Sequence, residues 1–475
     1  MAPTRIEHDL LGEREVPAER YYGIQTLRAL ENFAITGIPI SHTPRLINSL
    51  ACIKKAAALA NRDLGLLSAQ LAEAIAHACD DIIAGQLHGE FVVDVIQGGA
   101  GTSTNMNANE VIANRALEIL GYDKGRYDII HPLNHVNLSQ STNDVYPTAL
   151  RLTLSQKMDG LMGEMENLRK MLDLKAAEFA DVIKMGRTQL QDAVPMTLGQ
   201  EFEAWAIMVG EDIQRVQEAQ MLIREINMGA TAIGTGLNAH PDYAPLVTTR
   251  LRELSGVPVI MSQNLVEATQ DAGAYVQLSG VLKRVAVKLS KICNDLRLLS
   301  SGPRAGLHEI NLPPMAPGSS IMPGKVNPII PEVVNQVAFE VIGNDLTVTL
   351  AAEAGQLELN VMEPVIAYNL FTSLDMLGRA CRTLTERCIQ GITANREVCR
   401  RMVENSIGLV TALNPLLGYE KSTEIAREAI ATGRSVYEIV LDKKYLTKAE
   451  LDDVLSPENM TRRPRYIHKR ADMPK

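Results

Sequence analysis

Aromatic side chains are scarce in this chain, which holds 6 Phe, 12 Tyr and 1 Trp among 475 residues. Strands rely on β-branched and aromatic residues to cover a pleated surface, so this scarcity, beside 19 Met and abundant Ala and Leu, argues against a sheet protein and for helices. Cysteine is sparse too. Cys52, Cys79, Cys293, Cys381, Cys388 and Cys399 show no C-x-x-C spacing, which favours reduced, buried thiols over disulfides or a zinc site. Positive charge is in deficit, with 47 Lys and Arg against 56 Asp and Glu and a net charge of -9. No global positive field exists to hold nucleic acid or an anionic membrane surface. No segment approaches about 18 charge-free apolar residues, and MAPTRIEHDLLGEREVP lacks the apolar core of a secretory signal, so the sequence reads as cytoplasmic. Among the histidines only His131 and His135 have a metal-like spacing, in a Pro- and Asn-containing stretch that does not read as helical. No metal is implied.

What is present is ample apolar material for helices. Apolar residues make up 46% and charged residues 22%, an ordinary globular balance in a chain long enough for two or three domains. Tyr275, Leu278, Leu282, Val285, Leu289, Ile292, Leu296 and Leu299 alternate spacings of three and four, predicting one helix about 37 Å long at 1.5 Å per residue. Leu154, Met158, Leu161, Met165, Leu168, Leu172, Ala176 and Phe179 trace a second stripe, and Phe202, Ala206, Val209, Ile213, Val216 and Ile223 a third. From Pro331 to Gly355 the chain is apolar on more than one face, which predicts a buried helix and, with the others, bundles that pack on one another through self-association. Three regions result: a mixed, mostly helical 1–140, a long-helix bundle over 141–395, and a smaller, more polar 396–475 rich in Arg and Lys. No internal repeat is visible, which argues against a solenoid.

Four polar islands interrupt the apolar pattern: GGAGTSTNMNANE (98–110), NHVNLSQSTND (134–144), MGRTQLQDAVP (185–195) and PGSSIMPGKVNP (317–328). Each alone could be a loop or helix cap. Together, in a bundle where helix ends converge, they could line a pocket rich in donors for carboxylate oxygens. GGAGTS lacks the third glycine and preceding strand of a dinucleotide fingerprint. In GSSIMPGKV the first glycine is one residue too far from Gly324-Lys325, and Val326 stands where a phosphate loop needs Ser or Thr. No G-x-S-x-G elbow is present either. No cofactor is implied.

The undecamer GSSIMPGKVNP, Gly318 to Pro328, resembles the signature of the fumarase and aspartase superfamily, whose members reversibly eliminate a group from succinyl-type substrates to give fumarate. YYGIQTLRALENF, QGGAGTSTNMN, NDVYPTALR, GRTQLQDAVPMTLGQE, CNDLRLLSSGPRAGLHEINLP, VIGNDLTVTLAAEAGQLELNVMEPV and ITANREVC extend the resemblance over essentially the whole chain. It implies a mainly α fold, a long-helix bundle assembling as a homotetramer, with active sites built from segments of three subunits. Within the family, ammonia loss from L-aspartate competes with water loss from malate. Fumarases carry a Trp where this chain has Tyr22, a His where it has Gln189, and Phe-Lys where it has Met362-Glu363, which favours aspartate; Gly324 is the one fumarase-like feature. A non-enzymatic helical scaffold is the third alternative, and the polar islands speak against it.

The chemistry explains the residue types. Taking the C3 proton of aspartate beside a carboxylate generates a dianionic aci-carboxylate that preorganised donors must stabilise. By resemblance, Thr102, Ser141 and Thr142, with loop amides around Ser320, grip the carboxylate whose charge grows, while Lys325 and Asn327 hold the other. Thr188 is a further substrate-binding position, and Asn143 stands at the amino group. Ser319 is the expected general base, its alkoxide stabilised by amides of the Gly318–Ile321 stretch when the loop closes. Gln189 cannot act as an acid at neutral pH, which ammonium, already a good leaving group, tolerates.

Overall fold

All eight positions of the longest seam lie buried on one helix, Gly273–Leu299, in the computed structural model of the chain, which describes residues 3–461. The second stripe forms the 37-residue helix Thr142–Glu178, with every position but Ala176 buried and Phe179 just past its end. The third lies on Leu198–Ile223, where Ile213 is half-buried and the rest are buried. Two 25-residue helices, Ile329–Glu353 and Glu363–Arg387, complete the long elements. Among the described residues the strands form only four two-stranded sheets, as the low aromatic content requires. The few aromatics are concentrated: Phe179, Phe202 and Trp205 stack with centroids 5.3 and 4.8 Å apart. All six cysteines are free and buried.

By contacts the chain divides into two compact units, and each of the five long helices carries residues of both. The first comprises residues through Met162, Gln214–Ala286 and Phe339–Gly378; the second comprises Gly163–Ile213, Val287–Ala338 and the chain from Arg379. In the first, the alanine-rich helix Pro44–Asp63 packs against Ala69–Ile83 and Tyr243–Ser255. In the second, short C-terminal helices pack Leu409, Leu413, Ile425, Ile439 and Leu451 against Met185. Residues 462–475, the end of the tail read as Arg- and Lys-rich, lie outside the described residues.

Two local expectations are corrected, and a third is met on one face only within the single chain. The stretch 185–195 is neither loop nor cap but a β-hairpin, Ile183–Thr188 paired antiparallel with Gln191–Thr197. Its two-residue turn puts Gln189 and Leu190 at φ 54° and 64°, the doubly left-handed turn that matches strand twist, yet without the Asn-Gly pair that usually announces it. His135 does sit on a helical turn, of π type over Pro132–Val136, and His131 is the extended residue that caps its start. His131 Nδ1 accepts from the backbone N–H groups of Leu133 and Asn134, and His135 Nδ1 from that of His131. Finally, Ile329–Glu353 is not buried all round within the chain. Val334, Ala338, Val341 and Val348 are buried, but Phe339, Ile342, Leu346 and Leu350, spaced three and four apart, form an exposed apolar stripe, with Phe339 and Leu346 each 62% exposed.

Candidate active site

Ser141, Thr142 and Asn143 open the Thr142–Glu178 helix in the first unit, and Thr102 opens Thr102–Ile119. Helix N-termini present unpaired N–H groups and a positive dipole end, so this placement suits an anion. Ser141 N donates to Asp144 Oδ1 at 3.0 Å and Ser141 Oγ accepts from Asn143 N at 3.2 Å, which fixes the start of the longer helix. The two N-termini are tied together: Asn105 Nδ2 donates to Thr142 Oγ1 at 3.2 Å, and Gly101, at φ 88°, packs so closely that a Cβ would lie 2.4 Å from the Tyr146 ring. Only glycine fits there. Thr102 Oγ1 donates to Gly99 O at 2.7 Å.

Behind these hydroxyls lies a residue that sequence reasoning missed. Lys54 is fully buried on the Pro44–Asp63 helix, its Nζ donating to Asn105 Oδ1, Asn137 Oδ1 and Gln140 Oε1 at 2.7 to 2.9 Å. Three amide oxygens replace its water, and Asn105 relays the contact to Thr142. Burial pushes the ammonium down to about 7, opposed by Asp144; burial likewise pushes the Asp144 carboxyl up to about 7, opposed by hydrogen bonds from Ser141, Thr231 and Gly229. The signal was available in the sequence, since Lys54 falls on the apolar stripe of Leu50, Ile53, Ala57 and Ala60.

The remaining expected residues lie in the second unit. Ser319 Oγ accepts from the N–H groups of Ile321 and Met322 at 3.2 and 3.1 Å, so the amides beside it come from just beyond the Gly318–Ile321 stretch as well as within it. The loop is closed at its base by Gly318 N donating to Lys325 O at 2.7 Å and Asn327 Nδ2 donating to Gly318 O at 2.8 Å. A Cβ on Gly318 would stand 2.6 Å from Lys325 O. Ser320 and Lys325 are exposed, and Lys325 and Asn327 line a cavity of about 820 Å³ with Arg297, Ser300, His308 and Asn311. Arg297 and His308 were not singled out in the sequence, although both lie within its family-like segments. Thr188 ends its strand next to Arg187, whose guanidinium is 2.6 Å from the fully buried Glu309, itself 3.1 Å from Lys184 Nζ. Hydrogen bonds thus bring Ser141, Thr142 and Asn143 together with the Thr102 turn in one unit, and join Gly318, Lys325 and Asn327 around Ser319 in the other.

Glu363, one of the residues that departs from the fumarase pattern, is buried at the start of its helix. Burial pushes its carboxyl up to about 8, opposed by the Arg151 guanidinium. A carboxyl raised on folding stabilises the protein fully below its unfolded value near 4.5, and that stability drains as pH climbs towards about 8, at about 1.4 kcal/mol per pH unit. Glu363→Gln keeps the shape without the titration. In scanning calorimetry across that window the variant's midpoint should fall less with pH than the parent's; parallel slopes would show that Glu363 does not titrate there.

A family model described as Lyase matches residues 12–343, and one described as Fumarase C C-terminus matches 409–462. The chain is 63% identical to the aspartate ammonia-lyase of Helicobacter pylori strain J99 over 456 residues, covering 96% of this chain and 97% of that protein. It is 61% identical to that of Pseudomonas aeruginosa, covering 99% of each, and 55% identical to that of Escherichia coli K12, covering 98% of each. Among solved structures it is similar to a Brucella melitensis fumarate lyase:delta crystallin bound to cobalt, with TM-score 0.95, 56% identity, and 97% of this chain and 100% of that chain covered. It is also similar to a class II fumarase of Schistosoma mansoni, with TM-score 0.92, 36% identity, and 96% and 99% covered.

Proposed function

The chain belongs to the lyase family of fumarases and aspartate ammonia-lyases, and on that premise we propose that it deaminates L-aspartate reversibly to fumarate and ammonia. The observation that carries this reading is identity of 55% to 63% with aspartate ammonia-lyases over nearly the whole chain, against 36% with a fumarase. Gln189 at the hairpin turn agrees with it, because an amide has no proton to give a leaving hydroxide, whereas ammonium leaves without one.

Ser319 takes the C3 proton as general base. A serine hydroxyl needs its alkoxide stabilised, and the two N–H groups donated by Ile321 and Met322 to its Oγ suit that demand. Thr102, Ser141 and Thr142, with the amides around Ser320, hold the carboxylate that becomes the aci-carboxylate; their helix N-termini favour the extra negative charge as it forms. Lys325 and Asn327 hold the second carboxylate, Thr188 adds a substrate contact, and Asn143 meets the amino group. Electrons of the broken C3–H bond are held in the aci-carboxylate and then form the C2–C3 double bond as the C2–N bond breaks; its electron pair leaves with nitrogen, so the protonated amino group departs as ammonia.

The subunits assemble as a cytoplasmic homotetramer whose sites draw on three chains. Support comes from the exposed stripe Phe339, Ile342, Leu346 and Leu350, an apolar face a helix in water does not keep bare. The regions 1–140, 141–395 and 396–475 are the N-terminal, bundle and C-terminal parts of each subunit. Incubation with L-aspartate should produce fumarate, read by its ultraviolet absorbance, while malate yields it very slowly or not at all. Comparable turnover of malate would overturn the assignment.

A further inference from the structure

In the proposed reaction Asn143 meets the substrate amino group, so the orientation of its amide decides what it can bind. An asparagine side chain has a donor end and an acceptor end, and an ammonium group, which only donates, can use the acceptor alone. Asn143 Nδ2 donates to the main-chain carbonyl of Ala232 at 2.7 Å. A carbonyl cannot donate, so the end facing Ala232 has to be the amide nitrogen, and Oδ1 is turned away from it. The main chain of Asn143 is held as well. Pro147, four residues on, has no N–H to give the Asn143 carbonyl, and Asn227 Nδ2 donates to that carbonyl at 2.9 Å.

The Ala232 carbonyl is aimed by a loop with little slack. Gly229 N and Thr231 N both donate to Asp144 Oδ2, at 3.2 and 3.0 Å, while Asp144 Oδ1 holds Ser141 N at 3.0 Å. Thr231 sits in the left-handed region at φ 58°. A Cβ on Gly229 would stand 2.5 Å from Ala244 Cβ, and one on Gly234 would stand 2.3 Å from the Val266 backbone. One buried carboxylate therefore binds the loop to the start of the helix that carries Ser141, Thr142 and Asn143.

We propose, resting on the assignment of Asn143 to the amino group, that Asp144 is a positioning residue. Through the Ala232 carbonyl it locks the side-chain amide of Asn143 with its oxygen towards the substrate, so that the site selects a protonated amine at C2 of a four-carbon dicarboxylate. The lock acts through Oδ2 and the loop on the amino group, while Oδ1 separately holds Ser141 N at the helix start. Asp144→Asn tests it, because an amide whose one oxygen stays on Ser141 N turns its NH2 to the N–H groups of Gly229 and Thr231 and cannot accept from them. In the amination direction, KM for ammonium should rise about tenfold or more, while KM for fumarate and the inhibition constant of succinate, neither of which carries an amino group, stay within about twofold. A variant weakened only in its fold would lower its melting temperature without this split. An unchanged ammonium KM, or all three constants rising together, overturns the proposal. Should Asp144→Asn not fold, a crystal structure of Ser319→Ala with L-aspartate decides: the amino nitrogen should lie within about 3.2 Å of Asn143 Oδ1, with Nδ2 still on Ala232. An amino group bound elsewhere, or a reversed amide, refutes the lock. Failure of the parent enzyme to form fumarate from aspartate would instead refute the underlying assignment.

Discussion

Replacing Ser319 by alanine is expected to lower kcat by about 10² to 10⁴, the span of general acid–base catalysis, with KM for aspartate little changed. The hydroxyl that accepts from Ile321 and Met322 is lost, but the groups assigned to the carboxylates stay in place. Lys325→Ala should behave differently. Its ammonium lines the cavity and would bind a carboxylate in ground and transition states alike, so KM should rise strongly whatever happens to kcat. Steady-state kinetics on both variants separates proton removal from binding. If Ser319→Ala retains near-parent kcat and exchanges solvent deuterium into C3 of aspartate as fast as the parent does, the base is another residue.

A comparably large effect is expected from a charge on either of two leucines, by different routes. Leu282 lies in the middle of the longest seam, 1% exposed within the single chain. Leu282→Asp buries an unpaired carboxylate there at a cost of several kcal/mol, on the order of a whole domain's margin, so bundle, assembly and activity should be lost together. Leu346, 62% exposed, costs the isolated chain little when replaced. Leu346→Asp should therefore keep its helix content by circular dichroism yet elute as a smaller species without activity. An active monomer of Leu346→Asp on size-exclusion chromatography would show that the site is complete within one chain.

The long helices were legible because their buried positions succeed one another at three and four residues, and packing enforces that spacing whatever the rest of the sequence does. The exposed stripe of Ile329–Glu353 was not, because sequence hydrophobicity records that a face is to be covered and not by which chain. The hairpin at 183–197 escaped notice for a different reason: its turn uses Gln189 and Leu190, neither a residue that prefers left-handed backbone. Site residues were named through the family motif, whereas their supports were hidden by polarity. Asn105, Asn107, Asn109 and Asn114 are buried on Thr102–Ile119, which blurs its apolar periodicity, and Asn105 serves both Lys54 and Thr142. Asp144 lies inside a quoted island, yet its role depends on Gly229 and Thr231, more than eighty residues away in the chain.

The turn at Gln189 also bears on how two activities could share one scaffold. At its φ of 54° a side chain branched at Cβ is strained, as Thr231 is at φ 58°, whereas unbranched ones, histidine among them, are admitted at less cost. The Gln and His that distinguish this chain from the fumarase pattern can thus replace one another without rebuilding the turn or the strands that carry it. A lineage could pass between expelling ammonia and expelling water by exchanges of single side chains on an unchanged backbone, while β-branched intermediates at that position would carry a cost in strain besides any effect on chemistry.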